Sequence, residues 1–490
     1  MKLPSDLYRA FGRIRESCSG SLDMFASAFR RLTLRNFTFD QWREVSALHR
    51  LLAPFRRWRQ GSWLLAWGDG IAWVFVAAMI AIAPHASTTM IGYLLLVSAG
   101  FWLMLTLSDR AEGWLTPLHI VVMAYWGSMA IATIFSPVKP QAISGLVILT
   151  LNVLLFMLLA RILRVKELRS GLIFVYLFTA AIVSAYGLRQ AYFGAEALAT
   201  WVDPTSQAAG ANRVYSYLKN PNLLAAYLMP AASFSAVAAF VWPKWLPKLL
   251  AIMLFGMNSA CLVLTQSRGG WLGFLAMSFL MMVLLVFWWK SQFPAFWQKW
   301  ALPILLGGSA AFVVAAIVLV PQVRYRVLSI VNLRGDSSNN FRLNVYEAVF
   351  DMIRAYPITG IGPGNDAFNK IYPVFQRPRY TALSAYSIYF ETAVEGGVIG
   401  ILAFFWMLLV AFQQGWTQLV RLWRTMSDEG YWMIGALGGM AGLLVQGAFD
   451  TVWYRPQIST LWWMMLAIIA SLYVDVKQKY QEPLDEDAAT

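Results

Sequence analysis

The chain has 490 residues, 59% of them hydrophobic, with a mean hydropathy of +0.56. Its apolar residues fall in long, nearly uncharged runs, which excludes a soluble multidomain protein and makes a bilayer the solvent. The formal charge of +14 gathers in the N-terminal region and the loops, where lipid headgroups and topology account for it without nucleic acid.

Residues 1–61 are basic and lack the apolar core of a cleavable signal peptide. Within them Trp42, Val45, Leu48, Leu52 and Phe55 recur at helical spacing, with Arg43, Arg50, Arg56 and Arg57 on other faces. That pattern reads equally as a helix on the cytoplasmic membrane surface or as one packed under the protein itself. The 62–320 region then reads as nine membrane helices: 62–84, 90–108, 116–135, 141–160, 170–188, 221–241, 246–264, 271–289 and 302–320. Three more follow within 384–475, at 384–412, 432–449 and 458–475. With a cytoplasmic N-terminus, Arg161, Arg164, Lys166, Arg169, Lys244, Lys248, Lys290, Lys299, Arg421 and Arg424 fall on inner loops, as the positive-inside rule asks. Both termini are then cytoplasmic, the acidic 476–490 tail is a solvated end, and the 321–383 interval faces outward. The expected fold is an all-α polytopic membrane protein of about twelve transmembrane helices, with a large extracytoplasmic loop between the ninth and tenth. The 23 Trp and 20 Tyr suit aromatic belts at the interfaces.

Loops as long as 321–383 are uncommon without a function. Ser338 or Asn340 can cap a helix there, with Phe341, Val345, Val349 and Met352 at helical spacing and an end at Tyr356-Pro357. Arg342 in its first turn opposes the helix dipole and calls for an anionic partner, Glu347 and Asp351 being the nearest in sequence. GIGPGN at 360–365 follows no βαβ unit, so it reads as a turn rather than a phosphate loop.

Three other outer features each carry an arginine: Arg213 before a helix, Arg268 in the turn TQSRGG, and Arg455 in DTVWYRP. A cation at the bilayer centre costs roughly 2.5–3.5 kcal/mol on insertion scales, falling toward the interface. Arg268 either snorkels or grips an anion through paired guanidinium hydrogen bonds. Tyr215 and Asn222 stand beside Arg213 in sequence, and Asn220-Pro221 reads as a helix cap whose N–H groups can add to an anion site. Glu391 and Glu395 lie one turn apart in the tenth span; either the pair supplies an acid or base, or one of them pairs with an outer arginine. Cys18 and Cys261 sit too far apart in kind of environment to form a disulfide or metal site, and the three histidines, His49, His85 and His119, form no ligand cluster. No cofactor is indicated.

The segments RVYSYLKNPNLLAAYL, LTQSRGGWLG, DSSNNFRLNVYEAVFDMI, GIGPGNDAFN, TALSAYSIYFETAVEGG and FDTVWYRPQISTLWW together resemble the IctB family of membrane proteins, described as inorganic-carbon (bicarbonate) transporters. That family resembles in turn a branch of the O-antigen ligase and polymerase superfamily, which moves glycans from an undecaprenyl-diphosphate carrier at the outer face of the bacterial inner membrane. The resemblance implies that Arg213 and Arg268 hold a diphosphate, and it sets Tyr386 where the ligases carry a histidine. An unperturbed tyrosine titrates at about 10, so it is a poor base at neutral pH. Three readings follow: inorganic-carbon uptake with bicarbonate as the anion, ranked first by resemblance; transfer of a polyprenyl-diphosphate-linked glycan; and a non-catalytic partner docking through its basic N-terminal region. On the glycan reading Tyr386, Glu391 and Glu395 are the catalytic candidates, and Arg213, Arg268, Arg342, Arg455, Tyr215 and Asn222 the anion-binding ones.

Overall fold

The computed structural model describes residues 28–34, 62–108, 115–195, 213–319, 324 and 337–474. The amphipathic stretch at 42–55, Cys18 and the acidic tail lie outside them. Apolar runs become helices because a bilayer leaves no backbone hydrogen bond to water. The helices are α1 (Gly68–Ile82), α2 (Thr88–Ser108), α3 (Pro117–Ile134), α4 (Lys139–Ile162), α5 (Lys166–Phe193), α6 (Pro221–Val241), α7 (Trp245–Leu264), α8 (Arg268–Trp289) and α9 (Ala295–Leu319). After them come α10 (Ser337–Ala355), α11 (Asn365–Phe375), α12 (Ile388–Arg424), α13 (Glu429–Gly447) and α14 (Pro456–Ser471). Among the described residues nine helices are long and apolar enough to cross a membrane. The chain is thus an all-α polytopic membrane protein. Helices α1, α13 and α14 stand where the other three spans were expected.

Helix α6 is the hub, with 78% of its apolar stretch buried. It packs on α7 and α13; α13 packs on α8, α12 on α3, and α14 on α4. Small residues permit this closeness in a membrane, where packing rather than water exclusion drives association. A side chain at Gly442 would meet Met229 of α6 at 2.8 Å and Met277 of α8 at 3.0 Å. At the other extreme, α9 has no buried residue at all.

Two ion pairs tie helices of the bundle together. Arg169 of α5 donates from Nε to Glu429 Oε2 of α13 at 2.9 Å and makes a second bond to the same oxygen. Arg161 Nε meets Asp69 Oδ1 at 2.8 Å. Of the other intramembrane polar groups, Asn152 takes a bond from Ser459 at 3.0 Å, Asn258 one from Ser184 at 2.8 Å, and Gln446 donates to the Asn222 carbonyl at 2.8 Å.

Helices α10 and α11 build a small second core: Val345, Ala348, Val349 and Met352 against Ala367, Phe368, Ile371 and Tyr372. The expected cap at Ser338 or Asn340 is displaced. The helix already begins at Ser337, and Asn340, inside it, donates its amide to the Tyr380 hydroxyl at 3.2 Å. Glycine-rich 357–364 is a strap laid along the start of α12. Ile361 N–H donates to Val394 O, Gly362 N–H to Glu395 O, and Val398 N–H to Pro357 O, each at 2.9 Å. The strap interrupts α12 at Gly397, whose φ of +59° and ψ of −156° only glycine adopts readily. On its far side the strap lies on α3 and α4: Ser136 donates to Ile361 O, and Gly145 lies against Pro363 with no room for a Cβ.

Candidate functional site

At the end of the bundle that carries α10, α11 and the strap, four segments meet: the approach to α6, the α7–α8 turn, α10, and the loop after α13. Asn220 starts α6 as expected, its Oδ1 accepting from Asn222 N at 2.8 Å and Leu223 N at 3.4 Å, with Pro221 first in the helix. That cap fixes Asn222, which links three partners. Its Oδ1 accepts from Arg213 at 3.3 Å, its Nδ2 donates to Asp450 Oδ2 at 2.6 Å, and its carbonyl is held by Gln446.

Arg213 also donates from Nε to the Thr265 carbonyl at 3.1 Å. Thr265 closes α7, and Ser267 caps α8 by accepting from Gly270 N at 3.1 Å. Arg268 is the first residue of α8, so Arg213 is tied to the turn that presents Arg268. Gly269 lies against Gln446 and Phe449, which brings that turn beside the loop holding Asp450. Tyr215 borders the same approach, its N–H donating to Gln190 at 3.2 Å.

Asp450 is the group that sequence reasoning missed. Burial holds its carboxyl above the usual carboxylate range; Arg342 most strongly, then the Asn222 amide, the Thr451 N–H and Arg213, act against that rise. The partners expected for Arg342 are engaged elsewhere. Glu347 and Asp351 face Arg377 at 3.5 and 2.9 Å, and Asp351 also meets Arg354. Among the described residues Arg342 makes no hydrogen bond or ion pair, and its field falls on Asp450, Tyr346 and Tyr386. A half-buried guanidinium in that position is available to an anion.

Tyr386 stands at the rim. Its φ of +51° is unusual for a side-chain-bearing residue, a conformation that costs about 1–3 kcal/mol and is kept only where the surroundings impose it. The Tyr346 hydroxyl donates to its carbonyl at 3.1 Å, and Phe341 packs edge-on to its ring at 5.6 Å. Burial, then Asp450 and Tyr454, push its hydroxyl up to about 12 against the pull of Arg342. It is therefore a hydrogen-bond donor at neutral pH, not a base.

Among the described residues neither glutamate pairs with an arginine, where one expectation is that one of them does. Glu391 Oε2 accepts from Ala385 N at 2.6 Å and from the Thr451 hydroxyl at 3.3 Å; Glu395 Oε1 accepts from Gly364 N at 2.7 Å. The Ala385 and Gly364 N–H groups and the Thr451 hydroxyl reach them because α12 starts beneath these loops. The α12 helix begins at Ile388 rather than 384, which leaves 384–387 as a bent segment before its N-terminus, left-handed at Tyr386 and extended at Ser387. Arg455 is exposed, its guanidinium 5.1 Å from the Tyr454 ring centroid, and no hydrogen bond among the described residues joins it to Asp450.

A protein-family model described as O-Antigen ligase matches residues 249–405. This is about a third of the chain, and it contains Arg268, Arg342, Tyr386, Glu391 and Glu395. Arg213, Asn222 and Asp450 lie outside the matched segment. No curated protein matches the chain.

Proposed function

We propose that this chain transfers a glycan from a polyprenyl-diphosphate carrier, in the manner of the O-antigen ligases that its central third resembles. On this reading it acts at the outer face of a bacterial plasma membrane. The observation that carries the reading is the grouping of Asp450 with Arg342, Arg213 and Asn222 at one end of the bundle, beside the turn of Arg268. Arg342, Arg213 and Arg268 hold the diphosphate, because guanidinium groups grip phosphate oxygens in pairs and offset the charge that builds on the leaving group. An acceptor hydroxyl gives its proton to the Asp450 carboxylate as its oxygen attacks the anomeric carbon. The sugar–oxygen bond breaks and its electron pair leaves with the diphosphate. Tyr386, protonated, donates a hydrogen bond to sugar or phosphate where the ligases carry a histidine.

Bicarbonate uptake, the role the wider resemblance ranks first, draws less support. Transporters place their polar groups and broken helices near the bilayer midplane. Here Asp69, Asn152 and Gln446 are bonded to the chain's own groups, and the break in α12 accommodates the strap.

The test uses purified full-length protein in nanodiscs and liposomes. Polyprenyl diphosphate should bind, and Arg342→Ala should weaken it by about 10-fold or more, the loss expected for a charge-assisted contact. Absence of binding, together with bicarbonate flux that Arg268→Ala abolishes, would overturn the proposal in favour of transport.

A further inference from the structure

The site is assembled from two loops that have no covalent or helical connection close by: 384–387, which presents Tyr386, and 448–455, which presents Asp450. One carboxylate joins them. Glu391 lies in the first turn of α12, buried to 7% exposure, and its Oε2 accepts both the Ala385 N–H at 2.6 Å and the Thr451 hydroxyl at 3.3 Å. Ala385 immediately precedes Tyr386, and Thr451 immediately follows Asp450. Both are buried, at 0% and 3% exposure. Among the described residues, the hydrogen bonds that the Glu391 side chain accepts thus come from the two neighbours of the groups placed at the chemistry.

Glu395, one turn further on, does something different. Its carboxylate takes the Gly364 N–H and its carbonyl takes the Gly362 N–H, so it fastens the 357–364 strap. Two glutamates on one helix face therefore serve two different segments.

We infer that Glu391 is a positioning residue, the carboxylate that sets the Tyr386 loop against the Asp450 loop. The inference rests on the proposed transfer reading for its functional consequence. Its geometric part stands apart from that reading. A carboxylate suits the task because it only accepts, and one oxygen can take two donors at once. The first turn of a helix also stabilises its charge. The left-handed backbone of Tyr386 is imposed from both sides: Tyr346 holds its carbonyl, and Glu391 holds the N–H of the residue before it. Loss of the second hold frees that loop, and the Asp450 loop loses its anchor at Thr451 in the same step. A glutamine retains an acceptor oxygen of the same reach, whereas alanine retains nothing.

The inference is tested by backbone hydrogen exchange on full-length protein in nanodiscs, combined with kinetics. Glu391→Ala should speed exchange in peptides covering 382–387 and 449–453 together, Glu391→Gln in neither, and Glu395→Ala in 357–364 instead. Unchanged exchange in either site loop of Glu391→Ala would overturn the inference, as would loosening spread along all of α12. In the transfer assay Glu391→Ala should lower turnover by about 10-fold or more with carrier affinity within about 2-fold of the parent, because misplacement costs the reaction more than the binding. Glu391→Gln should restore turnover. Equal loss in both variants would mean that the carboxylate takes part in the chemistry and is not a positioning group. Should the parent protein transfer no glycan, the proposed function falls, and the exchange pattern alone still decides whether Glu391 couples the two loops.

Discussion

Removing the charge of Asp450 separates two effects that one carboxylate exerts here. As the proton acceptor it is needed for transfer, but as an anion among guanidinium groups it repels a diphosphate. Asp450→Asn should therefore abolish transfer while tightening polyprenyl-diphosphate binding by about 10-fold at low salt. Weaker binding in equilibrium titrations would place Asp450 in a purely structural role. The pH dependence has a defined sign. The carboxyl is held above the ordinary aspartate value and works only when ionised, so transfer should fall as pH drops through a value above about 4. Stability runs the opposite way: the native state binds that proton more tightly than the unfolded chain, so folding gains as pH falls through the same window. The stability dependence should vanish in Asp450→Asn, as thermal melts across pH would show. At Tyr386, substitution by His introduces a group that titrates at about 6.5. Tyr386→His should raise transfer above the parent with a new limb near neutral pH, read from the rate profile. Asp450 was not legible in the sequence because it is one acid in an apolar loop, and its significance comes from Arg342, Arg213 and Asn222, which only folding brings to it. Arg213 and Arg268 stand out in the sequence because arginines beside apolar helices, on loops expected to face outward, run against the charge bias; their hold on an anion belongs to the proposal.

Among the elements, the strap and α12 show how far periodicity reads. The buried positions of α10, the start of α6 at Asn220-Pro221 and the end of α10 before Pro357 were all legible, because capping and spacing are local. The break at Gly397 was not, since a GG pair inside an apolar run reads equally as a packing site. Gly397→Ala places a side chain against Ile358 in a backbone conformation unsuited to it, and should cost about 1–3 kcal/mol in thermal unfolding, with faster exchange confined to 357–364. At the opposite end of the bundle, Glu429→Ala strands Arg169 in a buried position and should cost about 3–5 kcal/mol. Replacing both Arg169 and Glu429 with apolar residues should recover much of that loss, as a thermal melt would show.

For the whole molecule, hydropathy was enough to locate the spans, because a bilayer imposes one secondary structure on any apolar run of that length. What it left out was which spans touch. On the expected twelve-span topology 378 and 427 fall on opposite sides of the membrane, so a membrane-impermeant thiol reagent should label a cysteine introduced at 378 on intact cells and one introduced at 427 only after permeabilisation; equal labelling of both on intact cells would break that topology. The unequal packing of the spans has a further consequence for how the chain tolerates change. Around α6 nearly every position faces another side chain, and an added methylene has nowhere to go. Helix α9 buries none of its residues, so in a bilayer its neighbours would be hydrocarbon tails, a fluid that reshapes itself around any apolar outline. Its letters are therefore interchangeable within one chemical class: a library swapping Leu, Ile, Val and Phe along 302–319 would be nearly silent, and the same library along 223–238 would be mostly lethal to the fold.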